Sequence, residues 1–83
     1  DWKTTLTEFA FNHDMGAVTY EVVGEGPDHQ RVFTARAYVA SRDTQVGQGV
    51  GTSKKHAENA AAADAVARLS GEKRVDEQGE KRD

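Results

Sequence analysis

Residues 47–63 read Gly-Gln-Gly-Val-Gly-Thr-Ser-Lys-Lys-His-Ala-Glu-Asn-Ala-Ala-Ala-Ala, and this stretch constrains the fold more than any other. Every second residue from 47 to 51 is glycine, and the stretch ends in a run dominated by alanine, the best helix former. Between the two lie Thr52 and Ser53, both of a type that caps helices. The chain is therefore expected to leave a short strand and enter a helix whose first turn carries Lys54 and Lys55. That turn already holds unpaired backbone N–H groups and the positive end of the helix dipole, which favour an anion. Two ammonium groups oppose the dipole and cost some helix stability. Such a placement points to a partner, and phosphate is the natural one.

Size narrows the possibilities. Eighty-three residues allow one small domain, near the lower limit of what folds without a staple. There is no cysteine, which excludes a disulfide framework or thiolate metal site and fits a reducing, cytoplasmic setting. No apolar run has the length of a membrane span, and the opening Asp-Trp-Lys-Thr-Thr has no secretory-signal character. His13, His29 and His56 lie far apart without ligand-type spacing, so no metal site is expected.

The net charge of −3 argues at first against a polyanionic partner, but the sum hides the placement. Residues 1–70 carry Lys3, Arg31, Arg36, Arg42, Lys54, Lys55 and Arg68 against nine acids. Such a domain lacks the strongly basic signature of many nucleic-acid binders, so phosphate binding must be local and modest.

The pattern divides into five elements and a tail. Residues 4–12 read as a helix, with Leu6, Phe9, Ala10 and His13 on its core face. Residues 18–23 alternate as a half-buried strand, and residues 24–28 are a dense turn signal. In residues 31–40, Phe33, Ala35, Ala37 and Val39 share one face of a second strand. Arg31, Thr34, Arg36 and Tyr38 fall mostly on the other. After a turn at Ser41-Arg42-Asp43, residues 45–50 form a third strand. Residues 53–69 form the long helix, with Ala57, Ala61, Ala65, Val66 and Leu69 as its inward stripe. Gly71 reads as the helix stop, and the charged residues 72–83 as disordered. The expectation is an α+β, α-β-β-β-α fold: a three-stranded antiparallel sheet with two helices on one face. Residues 1–70 form the domain and residues 71–83 a disordered charged tail.

Three motifs in this order carry a resemblance. A first helix bearing Glu8, a Gly26-Pro27-Asp28-His29 turn, and Ser53-Lys54-Lys55-His56-Ala57-Glu58 together resemble the double-stranded RNA-binding domain over about residues 2–70. Within that family, the opening Asp-Trp-Lys-Thr-Thr-Leu and a glutamate at 58 in place of a third lysine are similar to the carboxyl-terminal domain of bacterial ribonuclease III. The resemblance implies a magnesium-dependent endonuclease of double-stranded RNA as the parent. Its acidic, metal-binding nuclease domain has no counterpart in these residues. This chain is expected to bind and not to cut, with no catalytic residue, metal or cofactor of its own, as a monomeric domain.

Recognition then follows from the RNA. A-form duplexes hide their major-groove base edges and expose 2′-hydroxyls in a wide minor groove, so a reader measures shape across two minor grooves and the phosphates between them. The candidate contacts are Thr4, Thr7, Glu8 and Phe11 on the first helix. The turn would add Pro27, Asp28 and His29, and the second helix Ser53, Lys54 and Lys55. Glu8 cannot pair with phosphate but can accept a hydrogen bond from a 2′-hydroxyl, a donor that DNA lacks. Phe11 offers apolar contact to a sugar, or else packs on Met15 or near Trp2. His56 reads as a surface residue, and Tyr20 and Phe33 as core.

Two other classes are weaker. The glycines at 47, 49 and 51 do not match Gly-x-x-x-x-Gly-Lys-Ser/Thr, which argues against a nucleotide loop. No nucleophile–base pair suggests a small enzyme. An interaction module of the same fold, with Lys54 and Lys55 on another acidic partner, is the alternative to RNA.

Overall fold

The computed structural model describes the backbone of residues 1–82 and the side chains of residues 1–72. The first helix, α1 (Trp2–Asn12), starts two residues before the expected Thr4 because Asp1 supplies the cap. Its carboxylate accepts the Thr4 N–H at 2.8 Å, satisfying one of the orphan donors of the first turn. At the other end Asp14 takes a left-handed φ of 57°. This lets the Asp14 N–H reach the Phe11 carbonyl at 3.3 Å and the Met15 N–H reach Ala10 at 2.8 Å. The paired bonds close the last turn, and a short polar side chain is among the few that tolerate that φ. Leu6 and Ala10 are buried and Phe9 partly so. His13, expected in the core, is exposed, because the helix turns over at this residue; its ring instead lies tilted at 48° against Phe9 with centroids 4.1 Å apart.

Three antiparallel strands follow, β1 (Val18–Glu25), β2 (Val32–Val39) and β3 (Gly47–Gly51), in the spatial order β1-β2-β3. The first strand runs two residues further than its alternation suggests, since Gly24 pairs with Phe33 and Glu25 with Val32. Arg31 falls just outside β2 and closes a single 3₁₀ turn at Asp28–Gln30.

Across the helix-facing side of the sheet the side chains shrink from strand to strand. The pairing aligns Val22 with Ala35 and Gly49, and Tyr20 with Ala37 and Gly47. The second helix, α2 (Lys54–Arg82), fills the resulting wedge. It lies so close to β3 that a Cβ on Gly49 would stand 2.3 Å from the Ala61 nitrogen, and one on Gly47 2.5 Å from the Ala61 oxygen. Gly51, Gly49 and Gly47 meet the helix near Ala57, Ala61 and Ala65 in turn. Two residues of strand span about 6.6 Å and four residues of helix about 6 Å, so the two small-residue stripes stay in step. The alternating glycines are a packing surface.

The core is Leu6, Ala10, Met15, Ala35, Ala37, Val39, Val46, Ala57, Ala61, Ala62, Ala65 and Leu69. Tyr20, Phe33 and Val66 pack against it partly buried. The outer edge of β3 is closed by Asp64, whose carboxylate accepts the Gln48 N–H at 2.9 Å and is held by Arg68 at 2.9 Å.

The helix continues through Gly71, which is therefore not its stop. Glycine within a helix costs only about 1 kcal/mol relative to alanine. The next residue is anchored: Arg42, in the turn between β2 and β3, donates two hydrogen bonds to the Glu72 carboxylate at 3.1 and 2.9 Å. Those bonds hold the Arg42 pKa above its ordinary value. The expectation of a disordered tail falls, beyond Glu72, outside the residues whose side chains are described. Among the described residues no helix is long and apolar enough to cross a membrane. The whole is the α+β, α-β-β-β-α arrangement, a three-stranded sheet carrying two helices.

Candidate nucleic-acid interface

The start of α2 is built by Ser53. Its hydroxyl accepts the His56 N–H at 3.1 Å and its carbonyl the Ala57 N–H at 3.0 Å, which makes it the cap in preference to Thr52. The hydroxyl hydrogen is left to donate outward. Lys54, Lys55 and His56 are exposed on the turn that follows.

The charge pairing sets these two lysines apart. Residues 1–72 contain seven lysines and arginines. Lys3 pairs with Glu58 at 2.6 Å, Arg31 with Asp28 at 4.0 Å, Arg36 with Glu21 at 3.7 Å, Arg42 with Glu72 at 2.9 Å and Arg68 with Asp64 at 2.9 Å. Lys54 and Lys55 alone have no carboxylate partner among the described residues. Among the described residues, every other base has a carboxylate within 4.0 Å, and the pair of cations at one helix start does not.

On α1, Thr4, Thr7, Glu8 and Phe11 are all exposed and share one face. The Thr7 hydroxyl donates to the Lys3 carbonyl at 3.0 Å, so it presents acceptor lone pairs outward. Phe11 is 80% exposed, so it is not packed away against Met15 or the Trp2 region as the alternative required. With Thr7, Asn12, Gly16, Ala17 and Val18 it lines a shallow groove between the end of α1 and the start of β1.

The turn between β1 and β2 is held in a defined shape. Gly26 has a φ of 95°, a value side chains rarely adopt, and Pro27 follows at −69°. The Gln30 N–H then reaches the Pro27 carbonyl at 2.9 Å. Arg31 reaches back to donate to the Gly26 carbonyl at 3.2 Å. Pro27, Asp28 and His29 stand exposed on this brace. Nothing in the alternation of residues 31–40 marked Arg31 for that role.

The three patches adjoin. Asp28 and His29 share a cleft with Thr52, the residue before the cap, and Lys55 shares one with Asp1 and Lys3 at the start of α1. The first turn of α2 thus sits between the other two. Thr52 and Lys3 are additions that spacing alone did not suggest. Among the described residues no group of three or more His, Cys, Asp or Glu side chains could hold a metal ion.

A family model described as the double-stranded RNA binding motif matches residues 2–69. The chain belongs to this family. Similar to this double-stranded RNA binding motif are segments of Ribonuclease 3 from Mycolicibacterium paratuberculosis and from Nocardia farcinica. The first is 54% identical over 63 residues, covering 76% of this chain and 26% of the relative. The second is 44% identical over 72 residues, covering 87% and 29%. The chain spans under a third of the length of these curated relatives. Among solved structures, one described as that of Arabidopsis HYL1, with its molecular implications for miRNA processing, superposes with a TM-score of 0.67 at 29% identity. The match covers 83% of this chain and 96% of that one.

Proposed function

We propose that this domain binds double-stranded RNA by its A-form shape, as the substrate-binding module of a cytoplasmic ribonuclease III. The observation that carries the reading is the pair Lys54 and Lys55, unpartnered among the described residues at a capped helix start and flanked by two exposed polar patches. The lysines and Ser53 hold phosphates across the major groove. Thr4, Thr7, Glu8 and Phe11 enter one minor groove, and Pro27, Asp28 and His29 the next. Glu8, with no cation partner among the described residues, accepts from a ribose 2′-hydroxyl. The link to ribonuclease III rests on the relatives' names and on Glu58 in the Lys-Lys-x-Ala-Glu sequence.

Titration with duplexes of about 16 bp, the span such a domain covers, tests the reading. Duplex RNA is expected to bind well above duplex DNA, with single strands weakest. Equal affinity for RNA and DNA would mean that charge alone is read, and would favour a generic acidic-surface partner. Replacing residues 26–31 by a two-residue hairpin turn is expected to leave a folded domain, because Glu25 already pairs with Val32 and such turns join antiparallel strands well. RNA affinity should fall about tenfold with the loss of one minor-groove contact, on the order of 1.4 kcal/mol. A loop variant that binds like the parent would reduce the interface to the lysines.

A further inference from the structure

The two helices meet through few and mostly small apolar side chains. Leu6 and Ala10 are the buried residues of α1, and the buried face of α2 is Ala57, Ala61, Ala62, Ala65 and Leu69. Apolar contact is non-directional, and alanine ridges are shallow. The axial register of α1 on α2 therefore draws on polar bonds, and two converge at one place. The Lys3 ammonium donates to Glu58 at 2.6 Å with both side chains more than half buried. One residue earlier, the Trp2 N–H donates to the Asn59 side-chain oxygen at 3.0 Å. The same ammonium stands 5.1 Å from the centre of the Tyr20 ring, which ties β1 into the cluster.

This cluster lies between two of the RNA-facing patches. Glu58 is one turn beyond Lys54, and Lys3 directly precedes Thr4. We propose that Glu58 and Asn59 are positioning residues for duplex RNA: by gripping Lys3 and the Trp2 N–H they set the distance between the minor-groove face of α1 and the phosphate-binding lysines of α2. The inference rests on the RNA-binding reading above. A shape reader depends on that distance, because its contacts must meet a groove and a phosphate row at fixed spacing. Glu58 thereby has a use for RNA although its own charge repels it.

That repulsion supplies the test. On charge alone, Glu58→Ala removes an acid beside Lys54 and Lys55 and should tighten binding to any nucleic acid. As a positioning residue, its loss should instead weaken duplex RNA roughly five- to tenfold while leaving duplex DNA unchanged or slightly tighter, so that the RNA-to-DNA preference shrinks. Asn59→Ala changes no charge and should shift the preference in the same direction. In both variants the salt dependence should stay at the parent's slope, since no phosphate contact is lost. Thermal unfolding confirms that each is folded at the assay temperature, and if Glu58→Ala is not, Asn59→Ala carries the comparison. An RNA-to-DNA preference equal to the parent's in the folded variants would overturn the positioning role. A parent that fails to prefer duplex RNA would instead overturn the RNA reading on which it rests.

Discussion

Gly49→Ala is expected to lower the thermal midpoint of this domain by roughly 10 °C. A shift of that size corresponds to about 2 kcal/mol for a chain of this length. An added Cβ would stand 2.3 Å from the Ala61 nitrogen, 2.5 Å from the Ala60 carbonyl carbon and 2.6 Å from the Ala60 Cβ. Two of these are helix backbone atoms, so no rotamer change relieves the contact and α2 itself must lift from β3. Overpacking of this kind costs about 1–3 kcal/mol, and the stiffer unfolded chain returns less than 1 of it. The same substitution at Gly71 should have the opposite sign. Nothing lies within 4 Å of a Cβ there, and the residue is helical. Gly71→Ala is expected to stabilise by about 0.5–1 kcal/mol. Melting curves of the two variants decide the matter, and equal midpoints would refute the close-packed stripe.

That contrast marks where sequence reasoning reached and where it stopped. Residue types and spacing identified each of the five elements, because hydrophobic alternation in β1 and β2 and alanine richness in α2 are local properties. The meaning of Gly47, Gly49 and Gly51 was not local. Their partners are Ala57, Ala61 and Ala65, and only the antiparallel course of strand and helix brings the two stripes into step. Glu72 shows the same limit: in a charged stretch with little to bury it reads as tail, yet Arg42, thirty residues earlier, holds it. His13 followed the helical period but fell on the residue where the helix ends. At the candidate interface, the first helix, the turn and the lysines were all legible as motifs, and their named residues are exposed apart from the half-buried Ser53. The supports beneath them, Arg31 on Gly26 and Glu58 on Lys3, join residues whose pairing no motif announced.

The lysines themselves should carry the largest effect on binding. Replacing Lys54 and Lys55 together by alanine is expected to weaken duplex RNA binding roughly thirtyfold, at about 1 kcal/mol for each phosphate contact. The loss should be uniform over RNA sequences, and the slope of log affinity against log salt should become shallower by about 2. Stability should hold or rise slightly, because both side chains are exposed, neither has a carboxylate partner among the described residues, and both oppose the dipole of the helix they begin. Arg36 is the matched control. It pairs with Glu21 at 3.7 Å on the sheet, on an element that carries none of the three patches. Arg36→Ala removes the same kind of charge, and should leave both affinity and salt slope near the parent's values. If it weakens binding as much as one lysine does, overall charge governs binding and the phosphate clamp at the start of α2 is wrong. If only the lysine variant loses affinity, the placement of two cations at a capped helix start is what the RNA reads.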